Sequence, residues 1–175
     1  FKGKKILFGL ILVTMMIPAQ LIFLPVYLMF SKANMINTYW SLILPWASSA
    51  FGIFLLRQRF MQVPDEIIEA AVLDNTPPWK IIFKIMLPQA RGTVITIALL
   101  NFISTWNNYF WPLVMTSNDD VRTLPLGVSM LKSTLDGVHW NTVMAGNVIL
   151  ILPIVIIYLF AQREIIKAFT YSGIK

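Results

Sequence analysis

The sequence predicts an all-α fold, a polytopic bundle of about four membrane-spanning helices with a pair of helices in the cytoplasm. Of the 175 residues, 57% are hydrophobic and 13% are charged, whereas soluble domains carry about 25% charged residues. Four uncharged apolar runs are each long enough to form a helix that crosses about 30 Å of hydrocarbon. Most basic residues fall on one side of these runs, as they do in the cytoplasmic loops of membrane proteins.

Each apolar run is predicted to form one span of a single transmembrane domain that covers residues 1–175. The first run has 25 uncharged residues, whereas the apolar core of a signal peptide has only about 7–15. Five prolines lie inside the runs, and packed membrane helices tolerate proline as a kink. The predicted spans are residues 6–30, 40–56, 94–115 and 143–160.

The residue types that are missing exclude several classes of protein. The chain has no cysteine and one histidine, so disulfides, thiolate metal sites, a cysteine nucleophile and paired histidine ligands are excluded. No acidic residue lies inside an apolar run, which argues against a membrane-embedded enzyme with clustered catalytic groups. We therefore expect no enzyme activity, no catalytic residues and no metal. The net charge of +6 suits basic loops that face anionic membrane lipid better than it suits nucleic acid.

The distribution of Lys and Arg orients the spans. If both chain ends are cytoplasmic, eleven of the fourteen basic residues lie on the cytoplasmic side and three lie outside. All the loops are short, so the positive-inside rule applies in its reliable range. We therefore expect residues 57–91 and 161–175 in the cytoplasm, and residues 31–39 and 116–141 outside.

Residues 57–91 are not a span, and they predict two short amphipathic helices joined by a sharp turn. Pro64 suits the first position of the first helix, and Asn75 suits its end because asparagine tolerates the left-handed conformation. In the second helix we expect Thr76 as the cap, Pro77 at the first position and Pro88 at the end. Its predicted apolar face consists of Trp79, Ile82, Phe83 and Met86. The pair could lie on the bilayer surface with its lysines on lipid phosphates, or it could dock a cytoplasmic partner protein.

The same segment resembles the EAA motif of ABC-importer permeases. Glu69-Ala70-Ala71-Val72-Leu73-Asp74-Asn75, followed by Ile85-Met86-Leu87-Pro88, matches the pattern E-A-A, two residues, D-G, about nine residues, I-x-L-P. The one departure is Asn75 in place of glycine, which is mild because asparagine also reaches the left-handed turn. A non-catalytic membrane scaffold would explain the spans but not this spacing.

Other segments are similar to one branch of that family, the carbohydrate permeases of the maltose and glycerol-phosphate type. The resemblance covers essentially the whole chain, which begins at Phe1 rather than Met and is similar to the C-terminal two-thirds of such a permease. The similar segments are residues 36–57, Trp106-Asn107-Asn108-Tyr109-Phe110-Trp111-Pro112, Thr123-Leu124-Pro125-Leu126-Gly127 and the tail Gly173-Ile174-Lys175.

The resemblance implies a permease subunit of a binding-protein-dependent importer in a prokaryotic inner membrane. Its implied partners are ABC ATPase subunits, a second permease subunit that forms a heterodimer with it, and an extracytoplasmic solute-binding protein. The EAA segment would be the coupling helix that rests on the ATPase. The chain has no G-x-x-x-x-G-K-[ST] motif, so ATP would be bound by the partner and no cofactor is expected here. The residues implied in ATPase docking are Glu69, Ala70, Ala71, Asp74, Asn75, Leu87 and Pro88.

A candidate substrate path follows from polar residues in the third run. Asn101, Ser104, Thr105 and Asn108 share one helical face, and Trp111 continues it. Amides, hydroxyls and an indole suit a sugar-like ligand, whose hydroxyls need hydrogen bonds and whose ring faces stack on aromatic rings. The alternative is hydrogen bonding between helices of the bundle. The absence of charge in the spans favours a neutral solute such as a carbohydrate, and the alternative substrates are a polyamine, phosphate or a peptide.

The orientation can be tested with one introduced cysteine, because the chain has none of its own. We predict that Asn75→Cys is labelled by a membrane-impermeant thiol reagent in inverted vesicles and is protected in intact cells. The physical reason is the excess of basic residues on the same side of the membrane. Labelling from outside intact cells would reverse the predicted topology.

Overall fold

The computed structural model describes residues 2–132 and 137–170, and all regular secondary structure in them is helical. The predicted all-α class is confirmed. The predicted tail resemblance at residues 173–175 lies outside the described residues. The first five helices are α1 Lys4–Thr14, α2 Ala19–Lys32, α3 Tyr39–Ile43, α4 Ala50–Phe60 and α5 Asp65–Leu73. They are followed by α6 Pro78–Gln89, α7 Arg91–Trp106, α8 Phe110–Met115, α9 Leu124–Met130 and α10 Trp140–Thr170.

Between two and four parts of this structure are candidate membrane spans. Residues Tyr39–Phe60, which comprise α3, a 3₁₀ turn and α4, are long and apolar enough to cross a membrane, and so is Trp140–Gln162 in α10. Two bent pairs of helices, α1 with α2 and α6 with α7, each qualify if the pair forms one span. The predicted number of about four spans therefore corresponds to the upper limit of this range, in which each bent pair counts as one span.

The first and third apolar runs are each divided into two separate helices, whereas the sequence predicts only a kink at their prolines. The axes of α1 and α2 differ by 96°, and Pro18 stands directly before α2 in an extended conformation. Proline has no N–H to donate and disfavours a helical residue before it, which explains the break. The third run divides after Trp106, and a separate short helix, α8, completes it. By contrast, α10 continues through Pro153.

The helices from the second half of the chain pack closely. The most extensive contact between helices in the described residues is that of α7 with α10. There the Trp106 indole N–H donates a hydrogen bond of 3.0 Å to the Leu150 carbonyl. A Cβ at Gly146 would lie 3.0 Å from a methyl carbon of Val128. The absence of a side chain at Gly146 therefore permits the close approach of α9 to α10.

Two segments that are far apart in sequence are joined where α2 and α8 end. Asn37 adopts a positive φ of 62°, and its backbone N–H donates to the Met115 carbonyl at 2.9 Å. Its side-chain amide donates to the Ser117 hydroxyl at 2.8 Å, and the Tyr39 hydroxyl donates to the Asp120 carbonyl at 3.0 Å. These bonds fasten the α2–α3 loop to the segment after α8, and they hold α3 beside α8.

Much of the apolar surface is not covered by the chain itself. Large hydrophobic side chains on α1, α2 and α10 are exposed, with Ile6 at 73% and Phe160 at 84%. Soluble monomers rarely expose so much contiguous apolar surface. Lipid or further helices must therefore cover these helices, in agreement with a membrane protein.

Candidate coupling segment and substrate path

The turn between α5 and α6 is a complete Schellman motif, a common way to end a helix. Asn75 has a φ of 52°, its N–H donates to the Val72 carbonyl, and the Thr76 N–H donates to the Ala71 carbonyl, both at 2.9 Å. Two carbonyls that would otherwise lack a partner at the helix end are thus satisfied. The predicted left-handed role of Asn75 is confirmed, and it explains why asparagine serves where the motif usually has glycine.

Both helices of the pair begin one residue later than predicted. Pro64 and Pro77 are extended residues that precede α5 and α6, and Thr76 does not cap α6 with its side chain. Asp65 and Glu66 occupy the first turn of α5, where the helix dipole favours negative charge.

The second helix does not end at Pro88. It continues to Gln89, and α7 then departs at an angle of 80° after Ala90, which is fully buried. Residues Ile81–Met86 form a π-helical segment in which the Leu87 N–H donates to the Ile82 carbonyl, five residues back. A wider turn keeps the preceding carbonyls away from the proline ring, so the helix accommodates Pro88 without breaking.

The side chains of the EAA motif divide into an exposed set and a buried one. Glu69, Ala70, Asp74 and Asn75 are exposed, as is Pro88, whereas Leu87 is partly buried. Ala71 is only 6% exposed. Of the residues implied in ATPase docking, Ala71 thus packs its methyl group inside its own chain.

Sequence reasoning missed the most exposed apolar residues beside the motif. Leu73 is 82% exposed and Val72 is 58% exposed on α5. On α6, Trp79, Ile82 and Phe83 of the predicted apolar face are exposed, while Ile81, which was not assigned to that face, is buried. The helix pair therefore presents apolar side chains outward, next to the charges of Glu69 and Asp74. The sequence already has an apolar residue, Leu73, within the motif, but its exposure is visible only in the structure.

The structure separates the polar stripe of the third run into two parts. Asn101, Ser104 and Thr105 lie on α7 and are exposed. The Ser104 hydroxyl donates to the Asn101 carbonyl at 3.0 Å, so its proton is used within the helix. Asn108 lies beyond the end of α7, and its side-chain oxygen accepts the Trp111 backbone N–H at 3.1 Å at the start of α8.

Trp111 belongs to an aromatic cluster that borders a cavity. Its indole N–H donates to the Ser41 carbonyl at 2.8 Å, so this donor is not available to a ligand. Its ring lies edge-on to Phe23 and Trp46, with centroids 5.7 and 6.2 Å apart. The cavity has a volume of about 380 Å³, and Gln20 and Asn108 supply polar groups to its largely aromatic and aliphatic wall. Asn108 and Trp111 are thus brought together at this cavity, whose wall does not include Asn101, Ser104 or Thr105.

The fold and the uncovered apolar helices define a polytopic α-helical membrane protein. Residues 1–170 match the family described as binding-protein-dependent transport system inner membrane component. The chain belongs to this family, and the resemblance to ABC-importer permeases is confirmed. It is a family of transport proteins and not of enzymes.

Curated relatives in this family are similar along nearly the whole chain. The arabinooligosaccharides transport system permease protein AraQ of Halalkalibacterium halodurans is 37% identical over 100% of this chain and 62% of its own length. The lactose transport system permease protein LacG of Rhizobium radiobacter is 32% identical over 95% of this chain and 60% of its own length. The sn-glycerol-3-phosphate transport system permease protein UgpE of Yersinia enterocolitica is 33% identical over 98% and 62%. The chain thus spans less than two-thirds of the length of these relatives.

The Schellman turn generates a prediction about residue 75. Asn75→Gly should leave protease resistance of the α5–α6 turn unchanged or higher, because glycine adopts positive φ more readily than asparagine. Asn75→Val should strain the turn by about 1–2 kcal/mol, because a β-branched residue clashes in the left-handed region. Limited proteolysis of the purified protein measures this directly. Equal cleavage of the Gly and Val variants would contradict the role of the turn.

Proposed function

We propose that this chain is part of the permease subunit of a binding-protein-dependent ABC importer, and that it moves a carbohydrate or a related small polar solute into the cell. The observation that carries the proposal is the family match over residues 1–170, together with an EAA segment folded as an exposed helix pair. A separate ATPase subunit supplies the energy. A second permease subunit completes the path, and an extracytoplasmic binding protein delivers the solute. The distribution of basic residues supports an orientation with both ends of the chain in the cytoplasm, and the proposed membrane is the inner membrane of a prokaryotic cell.

The exposed surface of the α5–α6 pair supports docking onto the ATPase. Leu73 and Phe83 are 82% and 63% exposed. The charged side chains of Glu69 and Asp74 are also exposed, on α5 and at its end. Apolar anchors with a polar rim are typical of protein–protein interfaces. Leu87 and Pro88 stand at the far end of α6, where they set its exit towards α7, so their contribution to docking is through the shape of the pair.

The names of the relatives favour a sugar-like substrate. They are permeases for arabinooligosaccharides, lactose and sn-glycerol-3-phosphate. The exposed amide and hydroxyl groups of Asn101 and Thr105 on α7 suit a hydroxyl-rich solute, and a facing permease subunit would enclose them. Asn108 and Trp111 extend this candidate path towards the aromatic cavity. A permease for a non-sugar solute, such as a polyamine, phosphate or a peptide, is the alternative within the same family.

The docking proposal predicts different outcomes for two adjacent alanines. Ala70→Trp should weaken ATPase binding about tenfold or more, because overpacking a close contact costs about 1–3 kcal/mol. The measurement is the amount of ATPase that co-purifies with the full-length permease. Ala71→Trp does not test docking, because Ala71 is buried in its own chain.

Ala33→Trp is the matched control for Ala70→Trp, since Ala33 is also exposed but lies at the end of α2, outside the helix pair. It should retain the ATPase at the wild-type level. If Ala70→Trp retains the ATPase equally well at equal membrane abundance, the docking proposal is wrong and the helix pair lies on the lipid surface.

The path proposal predicts a loss of transport when the polar groups of α7 are removed. Asn101→Leu and Thr105→Val should each lower uptake several-fold, because a hydrogen bond to a solute hydroxyl contributes about 0.5–1.5 kcal/mol. Uptake is measured with radiolabelled arabino-oligosaccharides, lactose and sn-glycerol-3-phosphate. Leu100→Ala is the control, because Leu100 is exposed on the same helix, whereas the neighbouring Leu99 is buried and its truncation would disturb packing. Unchanged uptake in both polar variants would leave the stripe with a structural role only.

A further inference from the structure

Arg59, near the end of α4, holds the far end of the helix pair. Its Nε and Nη2 atoms both donate to the backbone carbonyl of Gln89, at 3.3 and 3.1 Å. Its Nη1 atom donates to the side-chain oxygen of Gln62 at 2.8 Å. The guanidinium group therefore joins the point where the chain enters the α5–α6 segment to the point where it leaves, 30 residues later.

The position of Gln89 explains why a positively charged side chain binds its carbonyl. Gln89 is the last residue of α6, and the carbonyls at a helix end lack partners within the helix and carry the negative end of its dipole. Hydrogen bonds from a charged donor are stronger than neutral ones, and the planar fork of arginine places two N–H groups on one oxygen. Arg59 thus caps α6 in a fixed orientation.

The same contact stands at the bend between α6 and α7. The two helices meet at 80° across Ala90, which is fully buried. Further along, α4 packs closely on α7, because a Cβ at Gly52 would lie 3.1 Å from a methyl carbon of Ile97. Helix α4 is therefore fastened directly to α7, and through the Arg59–Gln89 contact to the end of α6.

We propose that Arg59 is a positioning residue that makes the α5–α6 pair move as one rigid lever with α4 and α7. With the contact in place, a displacement of the pair changes the angles of both helices together. Without it, α6 swings about Ala90 and the displacement is absorbed at the bend. This inference rests on the proposed docking of the pair onto an ATPase, and it assigns the transmission step to a residue outside the EAA motif.

The test uses the full-length permease assembled with its ATPase, binding protein and second permease in lipid nanodiscs or vesicles. Arg59→Met removes the charge and the donors but keeps an aliphatic stem. Arg59→Lys keeps the charge but loses the fork. Arg57→Met is the matched control, because Arg57 lies on the same helix with its guanidinium 4.1 Å from the Phe8 ring centroid, and it removes the same charge from the same side.

The first readout is the amount of solute transported per ATP hydrolysed. Arg59→Met should lower this ratio about tenfold, because charge-assisted hydrogen bonds are lost, while ATPase co-purification and basal ATP hydrolysis stay within about twofold. Arg59→Lys should recover part of the ratio, and Arg57→Met should keep it. A wild-type ratio in Arg59→Met, or a parallel loss of abundance, ATPase binding and hydrolysis, would overturn the proposal.

The second readout does not depend on the ATPase. Spin labels on introduced cysteines at Gln58 and Lys84, both exposed, report the distance between α4 and α6. We expect this distance distribution to broaden in Arg59→Met and to stay unchanged in Arg57→Met. An unchanged distance distribution in Arg59→Met would overturn the proposal that the α5–α6 pair moves rigidly with α4 and α7. The docking proposal is tested separately by Ala70→Trp, so the two can fail independently.

Discussion

Hydrocarbon offers no water to an unpaired backbone group, so every break in a membrane chain must bring its own hydrogen-bond partners. The described part of this chain has several breaks, and side chains or backbone groups complete them. Asn108 accepts the Trp111 N–H where α7 gives way to α8, and the Trp111 indole then donates to the Ser41 carbonyl. Outside the predicted spans, in the segment expected in the cytoplasm, Arg59 donates in a similar way to the Gln89 carbonyl where α6 ends. The bonds of the Trp111 indole and of Arg59 tie together segments that are distant in sequence, and the tertiary structure depends on them.

A second constraint, the backbone conformation of a tight turn, explains which residues stand at the turns. The non-glycine residues with positive φ in the described part of the chain are all asparagines, at positions 34, 37 and 75. Asparagine reaches the left-handed region at a lower cost than other residues with a side chain. Its amide also bonds to neighbouring groups, as that of Asn37 does to Ser117. At Asn75 the turn is closed instead by the two backbone hydrogen bonds of the Schellman motif, which suits a helix pair proposed to transmit force.

Under the proposed function, different parts of the chain's surface are covered by lipid, by a second permease subunit and by an ATPase. Exposed apolar side chains on α1, α2 and α10 require lipid or further helices. The exposed polar groups of α7 suit a path shared with a second permease, and the exposed leucine and aromatic residues of α5 and α6 suit an ATPase. Arg59 lies between these parts of the surface, close to where α4, α6 and α7 meet. The proposal that it stiffens this junction therefore connects the docking surface to the path.

The sequence by itself determined the helical class, the family, the position of the helix pair and the left-handed residue at its turn. These features follow from local composition, from motif spacing and from the conformational preference of one residue type. Only the tertiary structure decided that α1 and α2 meet at 96°, that α6 passes through Pro88 in a π-helical segment and that Ala71 faces its own chain. A proline in the sequence shows where a helix can break, but the angle of the bend and the side of a helix that is buried depend on how the helices pack on their neighbours. Neither is encoded in local periodicity, so Arg59 and its bond to Gln89, 30 residues away, became visible only in the folded chain.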